Sequence, residues 1–177
     1  MLTDKKRLLV ISTVLLLAAA LSMFLFYPYR YVLSFHEPFS EEILAYLPIK
    51  ETDHFQIKYT HSVHLSDVIE EYEIKDETIY PYQLIYEDTA IGMPSNAGEG
   101  ETFEMKDGKY YISNLQGSFQ EINLAVGQVR ANHAIIYKNQ SYLLKDYVGA
   151  GTKVSIAPTR ESNWHLFKGV NIHERKQ

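Results

Sequence analysis

Apolar positions fall into two regimes along this chain. Residues 8–26 (LLVISTVLLLAAALSMFLF) run for nineteen positions without a charge, directly after Lys5-Lys6-Arg7. Beyond Asp53 the apolar residues recur every second position instead. The first regime predicts a single helix long enough to cross the roughly 30 Å hydrocarbon core of a bilayer. The second predicts strands with one buried and one wetted face.

The alternation starts at Phe55, Ile57 and Tyr59, set against Gln56, Lys58 and Thr60. It resumes at Val68, Glu70, Tyr72 and Ile74, and then over Ile79–Tyr86. Residues 92–100 read as a loop by composition. Thr102–Met105 and Tyr110–Ser113 flank an Asp107-Gly108 pair, a strong hairpin signal. Phe119–Val126, Ala134–Tyr137, Tyr142–Asp146 and Thr152–Ala157 continue the pattern, with a turn at Lys138-Asn139-Gln140. About eight or nine short strands and almost no helical period predict an all-β fold, a single β-sandwich or a small β-barrel.

The remaining segments are read by their breakers. Residues 28–52 contain Pro28, Pro38 and Pro48 and have no clear period, so they are expected to form a stalk. Within it, Ser40–Leu47 is expected as a short helix, with Ser40 as its N-cap and Ile43, Leu44 and Leu47 as its apolar face. The expected division is therefore 1–27 basic tip and transmembrane helix, 28–52 stalk, 53–160 β-domain and 161–177 polar tail. Trp164 is expected to be a lid on the core.

The positive-inside bias places Lys5, Lys6 and Arg7 in the cytoplasm and the domain outside it. Phe24, Phe26, Tyr27, Tyr29 and Tyr31 would then lie at the outer interface. Ala18-Ala19-Ala20 offers a cleavage site, but the run continues to Phe26, whereas signal h-regions span roughly 7–15 residues. An uncleaved anchor in the cytoplasmic membrane is the expectation. The chain has no cysteine, so the domain must hold by its core alone. It carries 17 Lys and Arg against 22 Asp and Glu; without Lys5, Lys6, Arg7 and Asp4 the balance is 14 against 21, a net −7. An acidic domain has no footprint for nucleic acid. An anionic lipid surface would repel it, so the helix is expected to do the anchoring.

Chemistry-bearing residues are densest over Tyr59-Thr60-His61-Ser62-Val63-His64, followed by Asp67, Glu70 and Glu71. Strand alternation puts His61 and His64 on opposite faces, unless a turn intervenes and brings Glu70 opposite His61. Several readings stay open. A Zn²⁺ site would use His61 and Glu70 with His133 or His64, although no compact motif such as H-E-x-x-H occurs. A nucleophile would be Ser62, although there is no G-x-S-x-G elbow. The cluster could equally be a hydrogen-bonded polar element that fixes the fold, or a recognition site for a ligand or a protein. Gly92 and Pro94 mark a second candidate, a binding loop on a rigid scaffold. The sequence names no cofactor.

The series Phe55-x-Ile57-x-Tyr59-Thr60-His61-Ser62-Val63, Val68-x-Glu70-x-Tyr72-x-Ile74, Tyr86 and Gly92-Met93-Pro94 resembles the bacterial family called "domain of unknown function 1850". Val126-Gly127, His133 and Leu143-Leu144 resemble its second half, so the likeness covers about residues 54–157. Asp67 stands where that family usually has proline, and Ala90 where it usually has glycine. The resemblance implies a small membrane-anchored or exported protein, often encoded beside a TAXI-type TRAP transporter. It implies an accessory role in solute uptake, with a permease or solute receptor as partner, and supplies no catalytic activity. On that reading His61, Ser62, Glu70, Tyr72, Gly92, Pro94 and His133 form a contact surface or the support beneath it. The alternative is a metal- or small-ligand-binding domain, a hydrolase included, built on His61, Glu70 and His133.

Overall fold

A computed structural model describes residues 4–40, 42–89 and 92–174. Helix α1 (Asp4–Phe26) carries the apolar run and buries none of its residues against the rest of the chain. Its length and composition suffice to cross a membrane.

Among the described residues twelve strands follow: β1 (Arg30–His36), β2 (Ile43–Pro48), β3 (His54–Thr60), β4 (Asp67–Lys75), β5 (Thr78–Tyr86), β6 (Thr102–Lys106), β7 (Lys109–Ser113), β8 (Ile122–Ala125), β9 (Ala134–Tyr137), β10 (Gln140–Leu143), β11 (Lys153–Glu161) and β12 (Val170–Asn171). Two four-residue helices interrupt them, α2 (Lys145–Val148) and α3 (Asn163–Leu166). The strands form a seven-stranded sheet, β10-β9-β3-β4-β5-β7-β6, and a five-stranded sheet, β12-β2-β1-β11-β8. The result is a sandwich-like all-β domain rather than a closed barrel.

The main core lies between the sheets. Leu33, Phe35, Ala45, Leu47, Val154 and Ile156 from one sheet meet Phe55, Ile57, Tyr72, Ile74, Ile79 and Ile135 from the other. A satellite cluster of Val68, Tyr86 and Ile112 extends the inner face of the larger sheet. The Asp107-Gly108 turn forms as its sequence demands, with both residues at positive φ. Lys138-Asn139 and Asp76-Glu77 make the same kind of turn without glycine.

Residues 28–52 form no stalk: β1 and β2 pair with each other, and β1 pairs with β11 along its whole length. In place of the helix expected over 40–47, β2 buries Ala45 and Leu47 in the main core and Ile43 in the cluster beneath α3; Glu41 lies outside the described residues. Val32, Leu33, Ser34 and Phe35 are all buried because β1 is covered on both faces, which erases the alternation that reveals a strand. The polar tail is also structured. Leu166 packs on Val32 and Ile43 beneath α3, and Ile172 is fully buried beside β2. Residues 175–177 lie outside the described residues.

The two ends of the sandwich are distinct. β1 begins at Arg30, four residues after α1, and Arg30 pairs in register with Glu161 of β11. The neighbouring Arg160 binds Glu51, before β3, and Glu77, in the β4–β5 turn (Nε–Oε1 3.0 Å). Those turns therefore gather at the α1 end. β3 and β5 run away from it, and seven residues of β3 span roughly 20 Å. Thr60, Asp67 and Tyr86 mark the far end.

Candidate functional site

At the far end the chain does not continue straight after β3. His61 N–H donates to Ser66 O (2.8 Å), and Leu65 N–H donates to His61 O (3.0 Å). Leu65 takes a positive φ to close this turn. The fold-back stacks the His61 and His64 rings, with centroids 5.4 Å apart and planes 22° from parallel. Strand alternation would have separated them; the turn sets them face to face. His64 N–H reaches His61 Nδ1 at 3.4 Å, and His64 Nδ1 lies 3.0 Å from Asp88 Oδ2. The carboxylate that meets a histidine here is thus Asp88, just past β5, and not Glu70. Val63 and Leu65 project from the turn, 59% and 63% exposed. Ser62 is exposed beside them, and among the described residues its hydroxyl is bonded to neither histidine.

Glu70 occupies a different place. β4 turns Val68, Glu70, Tyr72 and Ile74 to the inner face, and Glu70 is flanked in register by Ile57 and Leu84. A carboxylate in an apolar row needs donors. Tyr72 supplies one to Oε2 at 2.8 Å and Tyr59 a longer one to Oε1 at 3.3 Å. Burial, reinforced by the Glu70 charge, pushes the Tyr59 hydroxyl up to about 12 and also raises that of Tyr72. Both tyrosines therefore stay protonated at neutral pH, as donors to the Glu70 side chain.

His133 stands beside this group, its ring 5.5 Å from that of Tyr59. Gly127 N–H donates to His133 Nδ1 (3.0 Å), so the neutral ring carries its proton on Nε2. Gly127 must be glycine, because a Cβ there would stand 2.6 Å from the Ala131 Cβ. Burial lowers the His133 pKa below its ordinary value. The unfolded chain therefore takes up this proton first as pH falls through about 6.5, and stability falls with it. Thermal melts of His133→Gln should lose less stability than wild type between neutral pH and about pH 5. Parallel profiles for the two proteins would show that His133 does not set the acid limb.

The second sequence candidate joins the same end. The Tyr86 hydroxyl donates to Pro94 O (2.5 Å), and Met93 packs on the Val68–Tyr86–Ile112 cluster. Gly92 sits at φ +91°, a conformation that favours glycine. Ala90 and Ile91 lie outside the described residues. The His61–His64 turn, Asp88 and the Gly92–Pro94 loop thus form one rim, while Tyr59, Glu70 and Tyr72 form a hydrogen-bonded plug on the inner face with His133 against the Tyr59 ring. Among the described residues no three of His, Asp and Glu group so as to hold a metal ion, and His61, Glu70 and His133 form no such set.

Sequence reading missed Asp88, which lies beyond the last residue of its strand and follows no period. It also missed a cavity of about 340 Å³ on the outer face of the five-stranded sheet, lined by Ser34, His36, Thr159, Glu161 and His165. All of them but Thr159 come from the segments read as stalk and tail.

Residues 55–144 match the family described as Domain of unknown function (DUF1850). No curated protein and no solved structure matches the chain. The matched segment holds the larger sheet from Phe55 onward, the rim and the plug together. With half of its length matched over the residues that build this end of the sandwich, the chain belongs to that family.

Proposed function

We propose that this protein is a membrane-anchored accessory component of a solute uptake system, which acts outside the cytoplasm by protein contact rather than catalysis. The observation that carries the reading is the polarity of the molecule. An apolar helix with no buried residue leaves one end of the sandwich, and the residues of both sequence motifs gather at the other. A helix whose apolar residues all stay outside the core of its own domain is suited to lipid. With the helix in a bilayer and Lys5, Lys6 and Arg7 inside, the rim would face away from the membrane, where a partner could reach it. The transporter neighbourhood implied by the family resemblance supplies the partner class, a permease or its solute receptor.

Val63 and Leu65 are the apolar tips of that rim. Each is exposed, so a charge there costs the fold little while disrupting a dry contact. Crosslinking in intact membranes, followed by mass spectrometry, should recover a transporter permease or solute receptor with the wild type. Val63→Glu and Leu65→Glu should reduce that recovery about tenfold, the scale of losing one interface anchor. Lys50→Glu, at the opposite end, should leave it unchanged. Equal recovery with all three variants would remove the rim from the interface, and recovery of no transport component would remove the function.

A further inference from the structure

The helix α3 presents aromatic side chains to solvent in the place where α1 ends. Leu166 is its inward anchor, and Ser162 caps it by accepting from His165 N–H (3.1 Å). On its outer side Trp164 is 52% and Phe167 88% exposed, with Lys168 exposed beyond them. The contact with α1 is specific. Asn163 Nδ2 donates to the Phe24 carbonyl (2.9 Å), one of the last-turn carbonyls that a helix leaves without an internal partner. Asn163 also meets the Tyr29 hydroxyl. The Trp164 and Phe26 rings lie 5.7 Å apart, and the Phe24 and Tyr29 rings 6.3 Å. Two segments about 140 residues apart in sequence therefore build one aromatic cluster around the final turn of the apolar helix.

We propose that α3 is a second membrane anchor. On this proposal Trp164 and Phe167 enter the interfacial layer of the leaflet from which α1 emerges, so that the sandwich rests on the bilayer instead of swinging on a tether. The proposal rests on α1 crossing a membrane. Phe26 is the last residue of the apolar run, and a tryptophan in contact with it falls at the depth where amphipathic rings are enriched. Tyr29, which meets Asn163, and Tyr27 are exposed as well. The net negative charge of the domain does not oppose this seat locally. Arg30 and Lys168 are exposed at its margin and able to extend toward headgroups, and Glu161 is held by His165 (2.5 Å). The consequence is a fixed bearing, with the rim held at the height of the sandwich above the membrane.

Trp164 is the only tryptophan in the chain, so its fluorescence reports this site alone. The full chain is reconstituted into phosphatidylcholine vesicles with brominated acyl chains, and its integration is checked by alkaline carbonate extraction. The expected result is retention in the vesicles, strong quenching of Trp164 by shallowly brominated lipid, and severalfold weaker quenching by aqueous iodide than in denatured protein. Phe167→Asp should restore iodide access and weaken lipid quenching while the protein stays integrated. An integrated protein whose Trp164 is open to iodide and blind to brominated lipid overturns the docking and leaves the anchor standing. Protection from both quenchers assigns the patch to a second copy of the chain and also overturns it. Extraction by carbonate overturns the anchor and the docking together.

Discussion

Expressed by itself, the segment 54–144 does not fold. It retains the entire seven-stranded sheet, all of the rim and the residues of the plug. It loses every strand of the opposing sheet except β8. Leu33, Phe35, Leu47, Val154 and Ile156 are each fully buried, and all would be gone. Each buried aliphatic or aromatic side chain of this size contributes about 1.5–3 kcal/mol. Five of them exceed much of the roughly 5–15 kcal/mol that holds a domain together. The inner faces of Phe55, Ile57, Ile74 and Ile135 would also be left in water, an exposed apolar sheet inviting aggregation. By contrast, residues 28–177 contain both layers and should give a cooperative urea transition and dispersed amide resonances. A cooperative transition for 54–144 would show that the large sheet is self-sufficient. The family match covers the larger sheet and only β8 of the smaller one, so the rest of the opposing layer comes from both flanks of the matched sequence.

That division also explains what the sequence disclosed. The strands of the larger sheet were legible because Phe55, Ile57 and Tyr59, or Val68, Tyr72 and Ile74, alternate with polar residues that face water. β1 was not legible, because α3 covers its second face and leaves Val32 and Ser34 as buried as Leu33 and Phe35. β2 was misread because Ile43, Leu44 and Leu47 satisfy a helical spacing as well as Ala45 and Leu47 satisfy an extended one, and the irregular pairing beside Ile43 sends that residue to the outer cluster. Only pairing with β1 decides between them. Trp164 looked like a core lid because tryptophan usually buries area; its partner Phe26 lies about 140 positions away, beyond any local pattern. The site was partly legible in the same way. His61, Glu70, Gly92, Pro94 and His133 were found as residue types, but the histidine–carboxylate pair is His64–Asp88, and Glu70 is paired with tyrosines. Side-chain partners across a turn depend on where the backbone reverses, and Leu65 at positive φ gives no strong signal for that.

Glu70→Ala should destabilise the domain by about 2–3 kcal/mol, because the Tyr59 and Tyr72 hydroxyls would both lose their acceptor on a largely apolar face. For a domain of this size that corresponds to a fall in Tm of roughly 5–10 °C. The decisive comparison is a second variant, Glu70→Leu with Tyr59→Phe and Tyr72→Phe. Removing donors and acceptor together leaves no orphaned polar group, and such replacements are often close to neutral. If urea melts of residues 28–177 show the triple variant near wild type and Glu70→Ala well below it, the plug is a satisfied network rather than a source of net stability. Partner capture by the stable triple variant then separates structure from function. Undiminished crosslinking assigns recognition to the rim alone, whereas loss of crosslinking in a protein of wild-type stability gives the Glu70 carboxylate a part in recognition. A Glu70→Ala protein as stable as wild type would break the argument at its first step, since it would mean that water satisfies the tyrosines and that the inner face at Glu70 is open.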